Sequence, residues 1–432
     1  MKSGFKLWQK AKKIIPSGNM LFSKRPEQIL PVIWPTYYSK SKGCDVWDLD
    51  NNKYIDLFFG VGTNILGYAN QEIDYEVKKA IDNSNMSSLN CPEEVYLAEK
   101  LIELHPSQDM VRFARTGGEA NSIAVRIARA ASGKDCIAVC GYHGWHDWYL
   151  AANLQDPNNL NNHLLSGLDA KGVPKCLKDS VRIFDYNNFD QLSEIINNNE
   201  LAAVKMEVGR NLNPKNNFLS KVRQICNEKN IILIFDECTS GFRQTFGGLH
   251  KHYEIYPDMC MFGKALGNGY AITAVLGKKS IMEHAQKTFI SSTFWTERIG
   301  SVAALKTLDI MERTSSWEII TETGNNIKNK WLEISQSLDI KLQIDGIPAL
   351  PSFKFVDDKD NILITYFCQE MLKKGYLTSN IVFVSIVHTH EILKKYFEAL
   401  YEVFFEISKH PMDKISKQIE NYTRKSSFER SN

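Results

Sequence analysis

The middle of the chain alternates short apolar runs with amphipathic stretches, and this alternation constrains the fold more than any other feature. Candidate buried strands occupy residues 136–140, 202–206, 231–235 and 259–262. Between the second and the third, Leu219, Val222 and Ile225 recur at helical spacing. A strand, a helix and a second strand in succession favour a parallel sheet, because parallel neighbours need a crossover connection. The sequence therefore predicts an α/β domain with a mostly parallel sheet.

The two ends of the chain follow a different pattern. The first residues suggest a short amphipathic helix that ends near Pro16. From about Trp317 onward we expect a helix, short strands within 342–355, and a long amphipathic helix over about 391–408. A chain of 432 residues exceeds what one simple core usually holds. We therefore expect one large domain and one smaller domain.

Composition excludes several classes of function. Lys and Arg number 52 and Asp and Glu 50, so the overall charge gives no reason to expect nucleic acid or a membrane surface as a partner. The nine cysteines lack the spacing of a metal site or a disulfide framework, and we interpret them as reduced thiols of a cytoplasmic protein without a metal. The N-terminal segment never reaches the apolar run of a signal peptide or a membrane span.

Two charged residues follow the candidate strands where ligands bind in open α/β sheets. Asp236 ends the run IILIFD, and Lys264 follows MCMF within FGKALGNGY. Asp236 alone could be a cap for the next turn, and Lys264 alone could be a solvated surface residue. Together they indicate a shaped site, since the glycines around Lys264 allow a tight turn and a desolvated lysine readily forms imines.

Upstream of the sheet, a pair of glycines begins an amphipathic helix. In RFARTGGEANSIAVRIAR, backbone N–H groups at the helix start would form a phosphate site. A plain turn is the alternative interpretation of this feature. The residues concerned are Thr116, Gly117 and Gly118.

An aromatic segment, GYHGWHDWY, follows the first candidate strand. Tyr142 could stack on a flat ring, and His143 could orient nearby groups. Trp145 is a candidate for contact with the substrate, but an aromatic segment buried at a subunit interface would also explain Trp145 and Trp148. His146 has no predicted role.

Taken together, these segments resemble the class III aminotransferases, and within them the glutamate-1-semialdehyde 2,1-aminomutase branch. The likeness extends from KGCDVWDLDNNKYIDL to VSIVHTHE, and its most specific part is LIFDECTSGFR followed by the lysine of GKALGNGYA. It implies pyridoxal 5′-phosphate (PLP) as cofactor and the fold of type I PLP enzymes. That fold has a large domain with a mostly parallel seven-stranded sheet and a smaller α+β domain. The implied division is 1–72 joining the small domain, 73–314 as the large PLP-binding domain, and 315–432 as the C-terminal small domain.

The resemblance also implies roles for residues around the cofactor ring. Lys264 matches the family's Schiff-base lysine, and Asp236 matches the carboxylate that faces the pyridine nitrogen. Tyr142 takes the position of the aromatic ring that covers one face of the cofactor. Cys238 replaces the apolar residue, commonly valine, on the other face, which is a mild change because a buried thiol behaves as a small hydrophobe. The implied mechanism is two half-reactions in which the freed lysine moves a proton.

Other implied positions lie at the phosphate and at the subunit interface. Thr116, Gly117 and Gly118 match the family's phosphate-binding segment. Thr293 in ISSTFWTERIG matches a threonine that reaches the phosphate from the partner subunit, which implies a homodimer with a shared active site. Glu207 matches a glutamate near the cofactor, although Val208 stands where a proline is usual.

Departures from the aminomutase pattern concern the substrate. Leu21 and Lys24 stand where the aminomutase has a serine and an arginine that hold the substrate carboxylate, so Lys24 and Arg25 become candidates for a carboxylate or a phosphate. Ile381 stands where the aminomutase has a glutamate near the substrate's amino groups. An isoleucine cannot accept a hydrogen bond from an ammonium group, so a diamine would be held less firmly.

These departures favour an aminotransferase with a separate amino donor and a small carbonyl acceptor. We expect the acceptor among sugars or phosphorylated metabolites of surface-polysaccharide biosynthesis, an association drawn from relatives. The first alternative is the aminomutase itself, and other PLP reactions such as racemisation or decarboxylation also fit the scaffold. An alternative of another class is a non-catalytic PLP-fold binding module, which the presence of Asp236 and Lys264 disfavours.

Overall fold

The computed structural model describes residues 2–163 and 166–425. The chain forms two compact units. The sheet unit is Gln71–Glu318, and the terminal unit combines Met1–Asn70 with Ile319–Asn432. The strands are β1 (Tyr38–Lys42), β2 (Asp45–Asp48), β3 (Lys53–Asp56), β4 (Met110–Ala114), β5 (Cys136–Cys140), β6 (Val181–Ile183), β7 (Leu201–Glu207), β8 (Ile232–Asp236), β9 (Met259–Phe262), β10 (Thr273–Gly277), β11 (Leu342–Asp345), β12 (Ser352–Phe355) and β13 (Tyr376–Leu377).

Helices account for most of the remaining regular structure. They are α1 (Ser3–Ile14), α2 (Phe59–Gly62), α3 (Gln71–Asp82), α4 (Glu93–Leu104), α5 (Gly117–Ser132), α6 (Asp147–Leu150), α7 (Phe189–Asn198), α8 (Phe218–Glu228), α9 (Lys279–Met282), α10 (Arg298–Thr314), α11 (Ser316–Ser337), α12 (Ile362–Lys373), α13 (His390–Lys409) and α14 (Met412–Ser416). Short 3₁₀ turns include Phe22–Lys24, Lys264–Gly267 and Thr293–Thr296. No helix among the described residues has both the length and the apolar character to cross a membrane.

The sheet unit contains a seven-stranded sheet in the order β4-β10-β9-β8-β7-β5-β6. Strands β9, β8, β7, β5 and β6 run parallel, and β10 is antiparallel to both of its neighbours. The predicted strands at 136–140 and 259–262 coincide with β5 and β9. The predicted mostly parallel sheet is therefore confirmed.

The core of the sheet unit lies between this sheet and α5. Ile123 and Ile127 of α5 are buried in one cluster with Val139, Ile234 and Met261 from three strands. Burying each such side chain contributes roughly 1.5–3 kcal/mol, so this face of the sheet holds α5 in place. Fixing α5 also fixes its N-terminus, which lies at the carboxyl edge of the parallel strands.

The terminal unit has its own sheet and core. Strands β1, β2, β3 and β13 form a four-stranded sheet in that order, and β11 and β12 form an antiparallel pair. Helix α13 buries an apolar face that includes Tyr396, whose hydroxyl accepts a hydrogen bond from Trp331 Nε1 at 3.1 Å. Phe353 packs edge-on against Phe367 and Phe404. The predicted α+β character of this part of the chain is confirmed.

Candidate active site

The carboxyl ends of β7, β8 and β9 bring the predicted polar residues to one edge of the sheet. Glu207 and Asp236 are register partners on neighbouring parallel strands. Asp236 is also the register partner of Met261 in β9. Gly263 and Lys264 follow the end of β9. Because paired residues of parallel strands point to the same face, the Asp236 and Glu207 side chains share one side of the sheet.

Asp236 is a buried carboxylate that is hydrogen-bonded on both oxygens. Oδ2 lies 2.8 Å from His143 Nδ1, and Oδ1 accepts the Cys238 N–H at 3.1 Å. Burial by itself raises the pKa of Asp236, but the hydrogen bond from His143 and the charge of Lys205 outweigh it and hold that pKa well below its usual range. Asp236 is therefore kept as an anion inside an apolar sheet.

The buried ring of His143 connects Asp236 to the backbone. Its Nε2 donates to the carbonyl oxygen of Cys140 at 3.0 Å, and its Nδ1 faces the Asp236 carboxylate. The ring also packs edge-on against Tyr149, with 5.7 Å between centroids. His143 thus fixes the orientation of the carboxylate.

Lys264 begins a 3₁₀ turn directly after β9, with a φ of 42° that lies in the left-handed region. Its Nζ donates a hydrogen bond to Thr239 Oγ1 at 2.7 Å. Burial lowers the pKa of the Lys264 amine, and the nearby charge of Arg210 lowers it further. The amine therefore loses its proton more readily than an exposed lysine, as a nucleophile that forms imines requires.

The predicted phosphate segment forms the first turn of α5. Thr116 is its N-cap in a complete capping box with Glu119. A Cβ atom on Gly118 would lie 2.9 Å from His146 Nε2, and a Cβ on Gly117 would lie 3.8 Å from Cys238 Sγ. Position 118 therefore packs closely against His146 and has no room for a larger side chain without a shift of that ring.

Glu207 holds the backbone of the aromatic segment. Its Oε2 accepts the N–H of Tyr142 at 3.2 Å, and a Cβ on Gly141, whose φ is 103°, would lie 2.6 Å from the same oxygen. The Tyr149 hydroxyl donates to the carbonyl of Gly141 at 2.8 Å. The guanidinium of Arg210 lies 5.9 Å from the centroid of the Tyr142 ring. Tyr142 is therefore fixed from both sides of its backbone.

The other predicted residues of the sheet unit are exposed. Trp145 is 70% exposed, and its ring lies 4.6 Å from that of His146. Thr293 is exposed at the start of its 3₁₀ turn, next to Phe294, which is 72% exposed. This turn is attached to the start of α5. The Arg115 guanidinium donates hydrogen bonds to the carbonyl oxygens of Trp295 and Glu297, both at 2.8 Å. Trp145 also lines a cleft of about 600 Å³ with residues of α5.

Lys24 and Arg25 belong to the terminal unit. Lys24 ends the 3₁₀ turn Phe22–Lys24. Arg25 is buried, with its guanidinium carbon 4.9 Å from the centroid of the Phe22 ring. Their predicted contact with the substrate stays a prediction.

Three further residues of this region are absent from the sequence-based prediction. Thr239 contacts Lys264, Arg210 lies by Tyr142, and Lys205 is a fully buried lysine in β7. Lys205 Nζ lies 3.4 Å from the thioether sulfur of Met261, a weak acceptor. A charged residue inside the apolar run AAVKM is a visible signal for Lys205, whereas Thr239 and Arg210 differ from ordinary loop residues only through tertiary contacts.

The chain is similar to known proteins over most of its length. Residues 30–407 match the family model "Aminotransferase class-III". The chain is 32% identical over 418 residues to the 3-aminobutyryl-CoA aminotransferase of Cloacimonas acidaminovorans, covering 93% of this chain and 97% of that protein. It is 31% identical over 424 residues to the glutamate-1-semialdehyde 2,1-aminomutase of Methanothrix thermoacetophila, covering 92% and 96%. The PLP internal aldimine form of the FumI protein of Sphingopyxis sp. MTA144 superposes with a TM-score of 0.85 at 25% identity, covering 95% and 99%.

The residues at the sheet edge fit PLP chemically. The start of α5 at Gly117 and Gly118 suits a phosphate, since helix N-termini bind anions. A buried carboxylate held as an anion suits a protonated pyridine nitrogen, and an amine with a lowered pKa suits an aldehyde. The chain belongs to the class III aminotransferases, and it is a PLP-dependent aminotransferase of fold type I.

Proposed function

We propose that this enzyme transfers an amino group between two separate small molecules, an amino donor and a carbonyl acceptor. The observation that carries the proposal is Ile381, an apolar side chain at the position of the aminomutase glutamate. Without that acid, a diamine formed in the site has one hydrogen-bond acceptor fewer and leaves more readily. Leu21 and Lys24, at the positions of the carboxylate-binding serine and arginine, support the same conclusion.

The proposed roles follow from the geometry at the sheet edge. Lys264 attaches the cofactor, and Asp236, oriented by His143, pairs with the pyridine nitrogen. Tyr142 and Cys238 cover the two faces of the ring. When bound, PLP supplies an aldehyde that accepts the amino group and a protonated ring that withdraws electrons. The start of α5 binds the phosphate through Thr116, Gly117 and Gly118.

Lys264 has a second role in moving protons. When its amine is not bonded to the cofactor, Nζ of Lys264 would act as a base, because burial has lowered its pKa. It would accept the proton of the substrate carbon that bears nitrogen and deliver it to the cofactor carbon. Thr239 Oγ1, at 2.7 Å, holds the freed amine within the site.

We also propose a homodimer with a shared active site. Thr293 is exposed in the single chain, and the side chains of Phe289 and Phe294 beside it are 89% and 72% exposed. Large exposed aromatics are typical of interface cores. In this proposal Thr293 of one subunit reaches the cofactor phosphate of the other, and Trp145 lies near the same subunit interface.

We propose a cytoplasmic location for the enzyme. Its cysteines are free thiols, which supports this proposal.

A two-part assay tests the function. Purified PLP-form enzyme is mixed with L-glutamate and other amino donors, and conversion of the cofactor to its amine form is followed by absorbance. The amine form is then offered carbonyl compounds, including keto sugars and phosphorylated aldehydes, to test the predicted acceptor class. Conversion by donors and return by a separate acceptor supports the proposal.

A second assay addresses the first alternative. Glutamate-1-semialdehyde is supplied without any amino donor, and 5-aminolevulinate is measured. Efficient formation of 5-aminolevulinate, with no response to external donors, overturns the proposal in favour of the aminomutase. Failure of the cofactor to react with any amine or carbonyl compound favours the non-catalytic binding module.

A further inference from the structure

Arg210 stands three residues beyond the end of β7, at the sheet edge that carries Asp236 and Lys264. Its guanidinium carbon lies 5.9 Å from the centroid of the Tyr142 ring, within cation–π range. About a third of its side chain, 33%, is exposed. Arg210 therefore lies over an active-site ring and is accessible to a ligand.

The guanidinium is only partly satisfied by the protein. Its Nη1 lies 3.7 Å from Glu207 Oε1, an ion-pair distance that is too long for a hydrogen bond. Its Nε is buried and has no hydrogen-bond acceptor in the part of the chain that the structure describes. A buried donor without an acceptor is unfavourable, and the exposed third of the side chain is the part that a ligand can reach.

The second oxygen of Glu207 has its own partner. Oε2 accepts the Tyr142 N–H at 3.2 Å and lies against Gly141, so the aromatic segment already engages this carboxylate. A planar guanidinium with unused donors is the group that binds carboxylate or phosphate through two hydrogen bonds.

Arg210 also lies close enough to the reacting amine to influence it. After burial, its charge is the largest cause that lowers the pKa of Lys264. The cation and the reacting amine therefore belong to the same edge of the sheet, where both residues follow strand ends.

We propose that Arg210 binds an oxyanion of the amino substrate, either a carboxylate or a phosphate, while Glu207 holds the guanidinium in place. This inference rests on the proposed amino transfer. It assigns the substrate class as anionic amines and the matching anionic carbonyl compounds. Arg210 is thus a specificity residue contributed by the sheet unit itself.

The test compares Arg210→Met, which removes the cation and keeps the length, with wild type and with Arg313→Met. Arg313 is a matched control, because it is a half-exposed arginine paired with Glu72 on helix surfaces. Three donors are used: L-alanine carries a carboxylate, O-phosphoethanolamine carries a phosphate, and 2-aminobutane carries neither.

We expect Arg210→Met to slow cofactor conversion by the preferred anionic donor about 10- to 100-fold, the effect of losing a charged hydrogen-bond partner. Conversion by 2-aminobutane should slow by a clearly smaller factor, because it loses only the effect of the Arg210 charge on Lys264. The donor that loses rate identifies the anion as carboxylate or phosphate. Equal loss for all three donors, or none, overturns the proposal.

A binding measurement separates this inference from the proposed function. Succinate and inorganic phosphate, which cannot react, are titrated into the holoenzyme by calorimetry. Arg210→Met should weaken one of them about 10-fold or more and leave PLP affinity within about 3-fold of wild type. An equal loss of PLP affinity would assign Arg210 to the cofactor and overturn the proposal. If wild type converts no donor, the proposed function fails, and unchanged anion binding then rejects the role of Arg210 as well.

Discussion

The amine of Lys264 donates a hydrogen bond to the hydroxyl of Thr239 at 2.7 Å. This contact joins the 3₁₀ turn that follows β9 to the turn after β8, so the lysine is held although its own backbone adopts a positive φ of 42°. A non-glycine residue in that region is disfavoured and persists only where its surroundings hold it. The contact therefore contributes to the shape of the site as well as to the position of the amine.

Thr239→Val should slow covalent attachment of PLP to the apoenzyme about 3- to 10-fold, because the amine loses the acceptor that positions it. Thr239→Ser keeps the hydroxyl and should attach PLP at nearly the wild-type rate. Stopped-flow absorbance after mixing apoenzyme with PLP measures both rates. Equal rates for the valine and serine variants would show that the hydroxyl has no positioning role.

Lys264→Ala should abolish attachment of PLP that borohydride can fix, while the protein still folds. Lys205→Met is the matched control, because Lys205 is also an amine with a pKa lowered by burial. Lys205 lies mid-strand with 0% exposure, whereas Lys264 follows the strand end where ligands bind. Peptide mapping after borohydride reduction should find the label on Lys264 alone. A label on Lys205, in wild type or in Lys264→Ala, would refute the assignment.

Thr293→Ala should weaken PLP retention by about 1–3 kcal/mol if Thr293 donates to the phosphate across a subunit interface. Thr296→Ala is the control, since the Thr296 hydroxyl bonds to the Thr293 carbonyl within the same turn. Equilibrium dialysis gives the PLP affinity, and sedimentation gives the subunit number. A monomer that retains PLP tightly would contradict the shared site.

Local sequence patterns predict the strands of the sheet because a short apolar run bounded by polar residues is typical of a buried strand. The strand predicted at 231–235 is β8, Ile232–Asp236, one residue later at each end. The predicted boundary is wrong because the ladder continues through Asp236 and its pairs with Glu207 and Met261. In α8 the buried face includes Cys226, while Ile225 is only half-buried. Boundaries of this kind depend on neighbouring strands and not on the segment itself.

Some residues of the site can likewise be predicted from the local sequence, and others depend on tertiary contacts. Asp236 and Lys264 stand out in the sequence because charged residues at strand ends are costly without a partner. Thr239 and Arg210 are ordinary in sequence, and only the approach of separate loops gives them contacts with Lys264 and Tyr142. His105 is a further example, a histidine at the end of α4 that the tertiary fold buries completely.

The buried ring of His105 makes the stability of the fold depend on pH. Its Nδ1 donates to the carbonyl of Leu101 at 2.8 Å, and its Nε2 accepts the N–H of Gly248 at 3.1 Å. A second proton on Nε2 would face that N–H, so only the neutral ring fits. Burial lowers the pKa of His105 to about 4 from 6.5. In the terminal unit, burial likewise lowers the pKa of His388 to about 4.

Because the folded-state pKa is lowered, the unfolded chain takes up the proton first as the pH falls. The contribution of His105 to stability is complete above pH 6.5, declines as the pH falls, and is fully lost near pH 4. At pH 5 the loss is about 2 kcal/mol for such a shift. His105→Gln should be less stable than wild type at pH 7.5, yet its free energy of unfolding should fall by about 2 kcal/mol less between pH 7.5 and pH 5. Urea unfolding at both values measures this, with exposed His252→Gln as the control. If His105→Gln and His252→Gln keep the same pH dependence as wild type, the buried ring is not the source of the acid sensitivity.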